Sequence, residues 1–438
     1  MKRVLVYAWE GESQVNAIKS LEQRGEIRIT KWLEVFKNID DYLYKPFQGD
    51  VNLNLTYQER MALAEVKDVF FSMYSRISLS EGTSFDDLSH YYWRYVQLVN
   101  HWLETDKPDV VIISYPPHMG LDYVLYELCK VKNIPVKIFF QTLFTERFLV
   151  LNDIDEINHL PDLPRIEQNS LFKVEDFRQK EWFYMKKIRT YNKFCFLSFL
   201  NNFLVKAYAR KPLSKEGAFR IYSNCLDFKK WRKALSNKTP DLRKKYIYFP
   251  LQLQPEMTTS TLGAPVYSDQ LNAIEDLQSL LPDGWKIYVK ENPKQTPRQR
   301  SKLFFKRLEA CSKVEYICSS VPSSELIKGS QGVAVVTGTA GWEALIEGLP
   351  VITFGKVWYN SFPGVFQYSK GIRLEEFCSF KSDMAALQLA FDQFIGVTYE
   401  GVVDPGYEVS VDGFCAIKNQ QKLEGVLIDV LLQSEGVV

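Results

Sequence analysis

The sequence predicts an α/β protein built from two Rossmann-like domains, and three observations carry that expectation. Short apolar runs rich in Val, Ile, Tyr and Phe alternate with segments of helical period, the pattern of parallel strands with helices packed on the sheet. Loops of small and polar residues follow those runs, where open parallel sheets hold their ligands. The chain has 438 residues, more than a single hydrophobic core usually serves. We place one domain at 1–235, with helical insertions, and a second at 246–438. The linker between them is 236–245, where Asn237, Thr239 and Pro240 break the periodicity. The two domains are expected to face each other across a cleft.

Element by element, residues 4–8 read as a buried strand running into the polar loop Trp9-Glu10-Gly11-Glu12-Ser13. Residues 55–105 have helical period and many aromatics, and Lys107-Pro108-Asp109 ends them. A strand at 110–114, a helix at 122–131 and a strand at 136–140 make a βαβ unit, whose strands should be parallel. Residues 150–215 are less regular. Within them, 181–210 interleaves Trp182, Phe183, Phe194, Phe196, Phe199 and Phe203 with lysines and arginines. That stretch either lies on a membrane with its cations toward headgroups, or packs on the domain and shows water a basic face. The second half alternates more cleanly: strands at 246–250, 285–290, 314–317, 333–336 and 351–354, and helices at 267–281, 298–310, 323–328 and 342–347.

Composition removes several function classes. Lys and Arg number 54 against 53 Asp and Glu, so no overall field draws nucleic acid, and no such partner is expected. The seven cysteines are scattered with no Cys-x-x-Cys pair, as in a reduced cytoplasmic protein. No apolar run reaches the roughly 18 residues of a membrane-spanning helix, and the first residues are too briefly apolar for a signal peptide. The chain is expected to work in the cytoplasm, or at the inner face of the cytoplasmic membrane. Its four histidines, 90, 101, 118 and 159, lack ligand spacing, so neither a metal nor another cofactor is expected.

The sharpest motif runs from Val333 through Thr337-Gly338-Thr339-Ala340-Gly341 to Glu343. A strand, a turn of small residues and a helix start offer free N–H groups to a phosphate, and Thr337 and Thr339 add hydroxyls. Glu343 in the first turn could take ribose hydroxyls; alternatively it only complements the helix dipole. The spacing fits neither Gly-x-Gly-x-x-Gly nor a Walker motif. Lys290 with Asn292, and Ser323 with Ser324, follow two further strands, so a cation and a helix cap would join the same phosphate; read singly, each is a turn or a cap. The loop after 246–250 carries Gln252, Gln254 and Glu256, and Glu256 is a candidate nucleophile or general base. In the first half Glu10, His118 and Glu146 follow strands and are acid/base candidates on the acceptor side, where Gln254 is also placed.

Residues 246–365 resemble the bacterial capsule polysaccharide synthesis proteins, the group that contains the retaining β-Kdo (3-deoxy-manno-octulosonic acid) transferases. The resemblance is carried by Tyr248-Phe-Pro-Leu-Gln-Leu-Gln-Pro-Glu256, Tyr288-Val-Lys-Glu-Asn-Pro293, Ser324-Glu-Leu-Ile327, Val336-Thr-Gly-Thr-Ala-Gly-Trp-Glu-Ala344, Phe354-Gly355 and Trp358-Tyr359. It implies a GT-B fold, no metal, and a CMP-activated ulosonic acid as donor. Glu256 stands where that family often has Asp, and Asn292 where Lys-Glu-His-Pro is frequent. The expected function is transfer of a Kdo-like acid from its CMP form to a bacterial surface polysaccharide or glycolipid. Lys290, Asn292, Ser323, Ser324, Thr337, Gly338, Thr339 and Glu343 would bind the nucleotide, while Glu256, with Glu10 or Glu146, would do the chemistry. A UDP- or GDP-sugar transferase and a non-catalytic glycan-binding component of capsule assembly are the alternatives.

Overall fold

The structure is a computed structural model that describes residues 1–34, 54–74, 85–162, 172–178, 223, 226, 230, 239–254, 257–263, 265–295, 300, 302–318 and 320–433. The chain forms two compact units. One comprises Met1–Phe71, Ser89–Leu171 and Asp392–Val438, the other Ser72–Leu88 and Phe172–Phe391.

In chain order the elements before residue 240 are β1 (Lys2–Tyr7), α1 (Glu12–Gln23), β2 (Ile27–Leu33), α2 (Tyr57–Glu65), α3 (Lys67–Tyr74), α4 (Phe85–Asp106), β3 (Val110–Ile113), α5 (Leu121–Val131), β4 (Val136–Gln141) and β5 (Arg147–Leu151). Local chemistry starts the helices. Thr56 and Glu59 form a capping box at α2, each satisfying a backbone N–H of the other. Then follow β6 (Tyr246–Pro250), α6 (Met257–Leu262), α7 (Gln270–Leu280), β7 (Lys286–Lys290), α8 (Lys302–Ala310), β8 (Val314–Ile317), α9 (Ser323–Lys328), β9 (Gly332–Val335), α10 (Ala340–Ile346), β10 (Val351–Thr353), β11 (Val365–Gln367), α11 (Leu374–Ser379), α12 (Met384–Ile395), β12 (Tyr399–Glu400) and α13 (Ala416–Ile428).

Each unit holds a six-stranded sheet, ordered β12-β5-β4-β3-β1-β2 in the first and β11-β10-β9-β6-β7-β8 in the second. In the second sheet every pairing is parallel. Its central strands are apolar on both faces because helices cover both, and Ile247, Phe249, Ile287, Val289, Ala334 and Ile352 are fully buried. The two Rossmann-like units of α/β class that the sequence predicted are therefore present, the pair of domains from which a GT-B-like plan is made.

In the first sheet β3 and β4, the strands of the expected βαβ unit, are parallel, while β5 runs antiparallel to β4 and β12 antiparallel to β5. One expectation needs correction. The second domain, expected to run to residue 438, stops at 391, because residues 392–438 pack on the first unit. There Leu423 and Leu427 of α13 join Val4, Ala17, Ile18 and Leu21 in one apolar core. A buried polar network locks this segment: Asn419 donates to Ser13 Oγ and the Val402 carbonyl, each at 2.9 Å, and accepts from the Val402 N–H at 2.7 Å. Gln14 Nε2 donates to the same carbonyl at 3.0 Å. Unpaired buried amides are costly, so these bonds specify where the segment lies. The aromatic and basic stretch 181–210 lies outside the described residues. Among the described residues no helix is long and apolar enough to cross a membrane.

Candidate functional site

The carboxyl ends of β6, β7, β8, β9 and β10 point one way because these strands are parallel. The loops at 251–254, 291–295, 320–322 and 336–339 therefore gather on one edge of the second unit. At their centre, Lys290 ends β7 with its ammonium buried. It donates to the Val321 carbonyl at 2.6 Å and to Ser323 Oγ at 3.0 Å, and among the described residues its third N–H has no acceptor. Tyr248 Oη donates to the same serine at 3.2 Å. Burial pushes the Lys290 amine below its usual range, against the pull of Cys318 and Glu343.

Glu343 lies in the first turn of α10. Burial pushes its carboxyl up to about 7, against the pull of Lys290, and its charge acts on the phenols of Tyr248 and Tyr359. Its carboxyl is half-buried and makes no hydrogen bond with a described side chain. A cation and an uncommitted acid thus share one corner. That pairing can take a phosphate oxygen on one side and hydroxyl groups on the other.

The turn leading to Glu343 is held from two directions. Gln252 Nε2 donates to Thr337 Oγ1 at 2.7 Å, and the Thr337 N–H donates to Gln252 Oε1 at 3.0 Å. Tyr359 Oη donates to the Gly338 carbonyl at 2.5 Å. Gly341 is needed for packing, because a Cβ there would drive into the Tyr359 ring. Gly338 is not: a Cβ would meet only ordinary contacts with Val335 and Gln252. Thr339 heads α10 with helical backbone and makes no side-chain cap bond.

Beneath this edge lies a buried ion pair that the sequence reading missed. Arg300 and Glu291 are almost wholly excluded from water, and the guanidinium grips the carboxylate through Nε at 2.8 Å and Nη2 at 3.1 Å. Arg300 also donates to Gln254 Oε1 at 2.7 Å and the Gln252 carbonyl at 3.1 Å. Gln295 and Gln254 exchange two more bonds. The loops after β6 and β7 are thereby joined in one hydrogen-bonded base.

The predicted residues fall as follows. Lys290, Ser323, Thr337, Gly338, Thr339 and Glu343 come together on this edge. Asn292 also lies there, its side-chain oxygen accepting the Lys294 N–H at 3.0 Å as a turn former. Ser324 is exposed, and neither serine caps α9, whose N-cap is Pro322. Ser323 instead receives Lys290 and Tyr248. Gln254, expected on the acceptor side, belongs to the second unit, and its amide is spent on Arg300 and the Ser268 carbonyl. Glu256 lies outside the described residues.

In the first unit Glu10 is exposed after β1. Glu146 is engaged by Lys422 at 2.8 Å, and Lys422 also reaches Glu400, so this acid braces the C-terminal segment. His118 sits in the loop between β3 and α5. Its Nδ1 lies 2.9 Å from the Pro116 carbonyl, and the wholly buried Asp122 accepts the backbone N–H of 118, 119 and 123. Asp153 and Asp155, an acidic pair two residues apart, are used locally: Asp153 caps a short 3-10 helix and pairs with Lys130 at 2.9 Å.

Comparison with known proteins gives one family. Residues 178–393 match the family model described as capsule polysaccharide biosynthesis protein, just under half of the chain. No curated protein sequence matches the chain. Among solved structures, the β-Kdo 2,7 transferase KpsC of Thermosulfurimonas dismutans is similar at 11% identity, with 97% of this chain and 99% of that chain covered and a TM-score of 0.35. The β-Kdo 2,4 transferase KpsC of the same organism is similar at 13% identity over 67% of this chain and 82% of that one, with a TM-score of 0.33. UDP-GlcNAc 2-epimerase of Methanocaldococcus jannaschii, in complex with UDP-GlcNAc and UDP, is similar at 11% identity over 98% and 99%, with a TM-score of 0.25.

Proposed function

From a chain whose region 178–393 is that of the capsule polysaccharide biosynthesis family, we infer a glycosyltransferase that uses a CMP-activated ulosonic acid of the Kdo type. It passes the sugar to a hydroxyl of a growing bacterial surface polysaccharide or glycolipid, at the cytoplasmic side of the membrane and without a metal. The observation that carries this reading is Lys290 beside Glu343 at the strand ends: among the described residues, the cation has one N–H without an acceptor and the acid has no hydrogen-bond partner. A single buried ammonium matches the one charge of the phosphodiester in a CMP-sugar better than the two charges of a diphosphate. Glu343 takes the ribose hydroxyls, and Thr337, Thr339, Ser323 and Asn292 complete the polar shell. Gly338 has no side chain where the protein's own packing leaves room for one, which suits a ligand close to the backbone.

Glu256 follows Gln254 by two residues and is assigned the chemistry at the anomeric carbon. It acts as nucleophile if configuration is retained, and as base if it is inverted. The reading is tested by isothermal titration with CMP, UDP and GDP, on the native protein and on Glu343→Ala. Selective binding of CMP that the substitution weakens supports it. Preference for UDP or GDP discards the donor but keeps the enzyme class, and no binding of any of the three overturns the reading.

A further inference from the structure

Helix α4 and the start of α2 border a cavity of about 270 Å³ whose lining belongs to the first unit alone. Trp93, Val96 and Gln97 are spaced by three and four residues, so they share one face of α4 and make one wall. Leu55 and Arg60, on either side of the capping box of α2, make the other. Leu55 and Val96 are buried and supply the apolar part of the lining.

The polar groups left without partners here are all donors. Glu59, next to Arg60 in sequence, is turned away to accept the Thr56 N–H at 2.6 Å. Among the described residues the exposed Arg60 guanidinium forms no ion pair and no side-chain hydrogen bond. Gln97 Oε1 accepts from Arg94 Nη1 at 3.4 Å, while its amide nitrogen has no acceptor among the described residues. The same holds for the indole N–H of Trp93. The indole is also held in place. Tyr92 stands edge-on against it with ring centroids 5.3 Å apart. Tyr92 is itself buried, bonded to the Leu63 carbonyl and packed on Phe70 at 5.1 Å.

This lining defines its ligand. An unpaired guanidinium among donors calls for an anion, and the indole with Leu55 and Val96 calls for an apolar face. A bare phosphate would use the guanidinium and leave the rest idle. A pyranose carrying a carboxylate has both features: C–H groups on the ring face, and a charge that two guanidinium N–H groups can hold together. The volume lies just under the roughly 300–1,000 Å³ of pockets that bury drug-sized ligands, which suits a single sugar ring. We propose that this cavity is a binding subsite for one acidic sugar residue of a glycan. Arg60 holds the carboxylate, Trp93 the ring face and Gln97 a hydroxyl. The subsite goes beyond the donor reading above and does not depend on it.

The experiment is saturation-transfer NMR on the full chain in excess CMP, titrated with D-glucuronate or D-glucose, with inorganic phosphate as competitor. A ligand of this size is expected to bind with a dissociation constant on the order of 1 mM. Glucuronate should bind about 10-fold tighter than glucose, because a hydrogen bond to a charged group is at stake. Arg60→Gln should abolish that preference, and Trp93→Leu should weaken both sugars, with melting temperature as the check on folding. Equal affinity for the two sugars in the native chain overturns the proposal, as does undiminished glucuronate binding by Arg60→Gln. So does the lack of saturable glucuronate binding up to about 50 mM, or its displacement by an equal concentration of phosphate. A native chain that binds no CMP overturns the donor reading and leaves this proposal to the sugar titrations.

Discussion

Gln252 and Thr337 exchange two hydrogen bonds, at 2.7 and 3.0 Å, across loops that follow two different strands. The amide thereby couples the loop carrying Gln254 to the turn that precedes Glu343. Gln270 holds Gln252 from behind, accepting its N–H at 2.7 Å and donating to its carbonyl at 3.1 Å. With the Arg300–Glu291 pair below, the edge is prepared before any ligand arrives, and preparation of this kind lowers the ordering cost of binding.

Removal of the Glu343 carboxylate should weaken nucleotide binding without disturbing the fold. A hydrogen bond to a charged group contributes roughly 1.5–3 kcal/mol, so Glu343→Ala should raise the CMP dissociation constant about 10- to 100-fold. Titration calorimetry reads this directly.

The same carboxyl makes stability depend on pH. Its folded value, about 7, lies above the ordinary value of 4.5, so between these limits the folded state binds more protons than the unfolded one. Stability associated with this group is therefore present at pH 4.5 and lost as pH rises through about 7. Glu343→Gln should match the native protein near pH 5 and exceed it above pH 8, by about 2 kcal/mol after discounting for its partial exposure. Urea unfolding at the two pH values checks the crossing.

Two glycines in one turn should behave oppositely. Gly341→Ala puts a methyl group into the Tyr359 ring and should cost about 1–3 kcal/mol. Gly338→Ala meets only ordinary contacts, so the melting temperature should hold while CMP affinity falls. Thermal melts with and without CMP separate the two effects.

Arg300→Met leaves the Glu291 carboxylate buried without its partner. The expected loss is about 3–5 kcal/mol. Adding Glu291→Gln should recover part of it, since a neutral amide costs less to bury than a charge. Denaturant unfolding of the single and double variants measures the recovery.

The apolar strands were legible because parallel, doubly covered strands read as continuous runs, as at Tyr246–Pro250 and Gly332–Val335. β12 was not legible: two residues, Tyr399 and Glu400, pair with Phe148 and Arg147 across some 250 positions. No local period encodes such a contact. Lys290 and Glu343 could be named because strand ends and helix starts have recognisable sequence. Arg300 could not, because nothing in its neighbourhood says that it will be wholly buried against Glu291. Gln254 and Glu146 looked like site residues by the same loop logic, yet their polar groups serve the scaffold. Loop position identifies who is available, and only the packing decides who is already engaged.

The return of residues 392–438 to the first unit has a consequence for biosynthesis. On the ribosome, the helix partner of Ala17, Ile18 and Leu21 and the edge strand beside β5 emerge only after the whole of Phe172–Phe391. At roughly 5–20 residues per second, that delay is on the order of 10–45 s. Throughout it the nascent amino-terminal half carries an unfinished apolar face, so its maturation is post-translational and open to chaperone capture. The carboxyl-terminal half, contiguous through most of its length, is free to complete itself first.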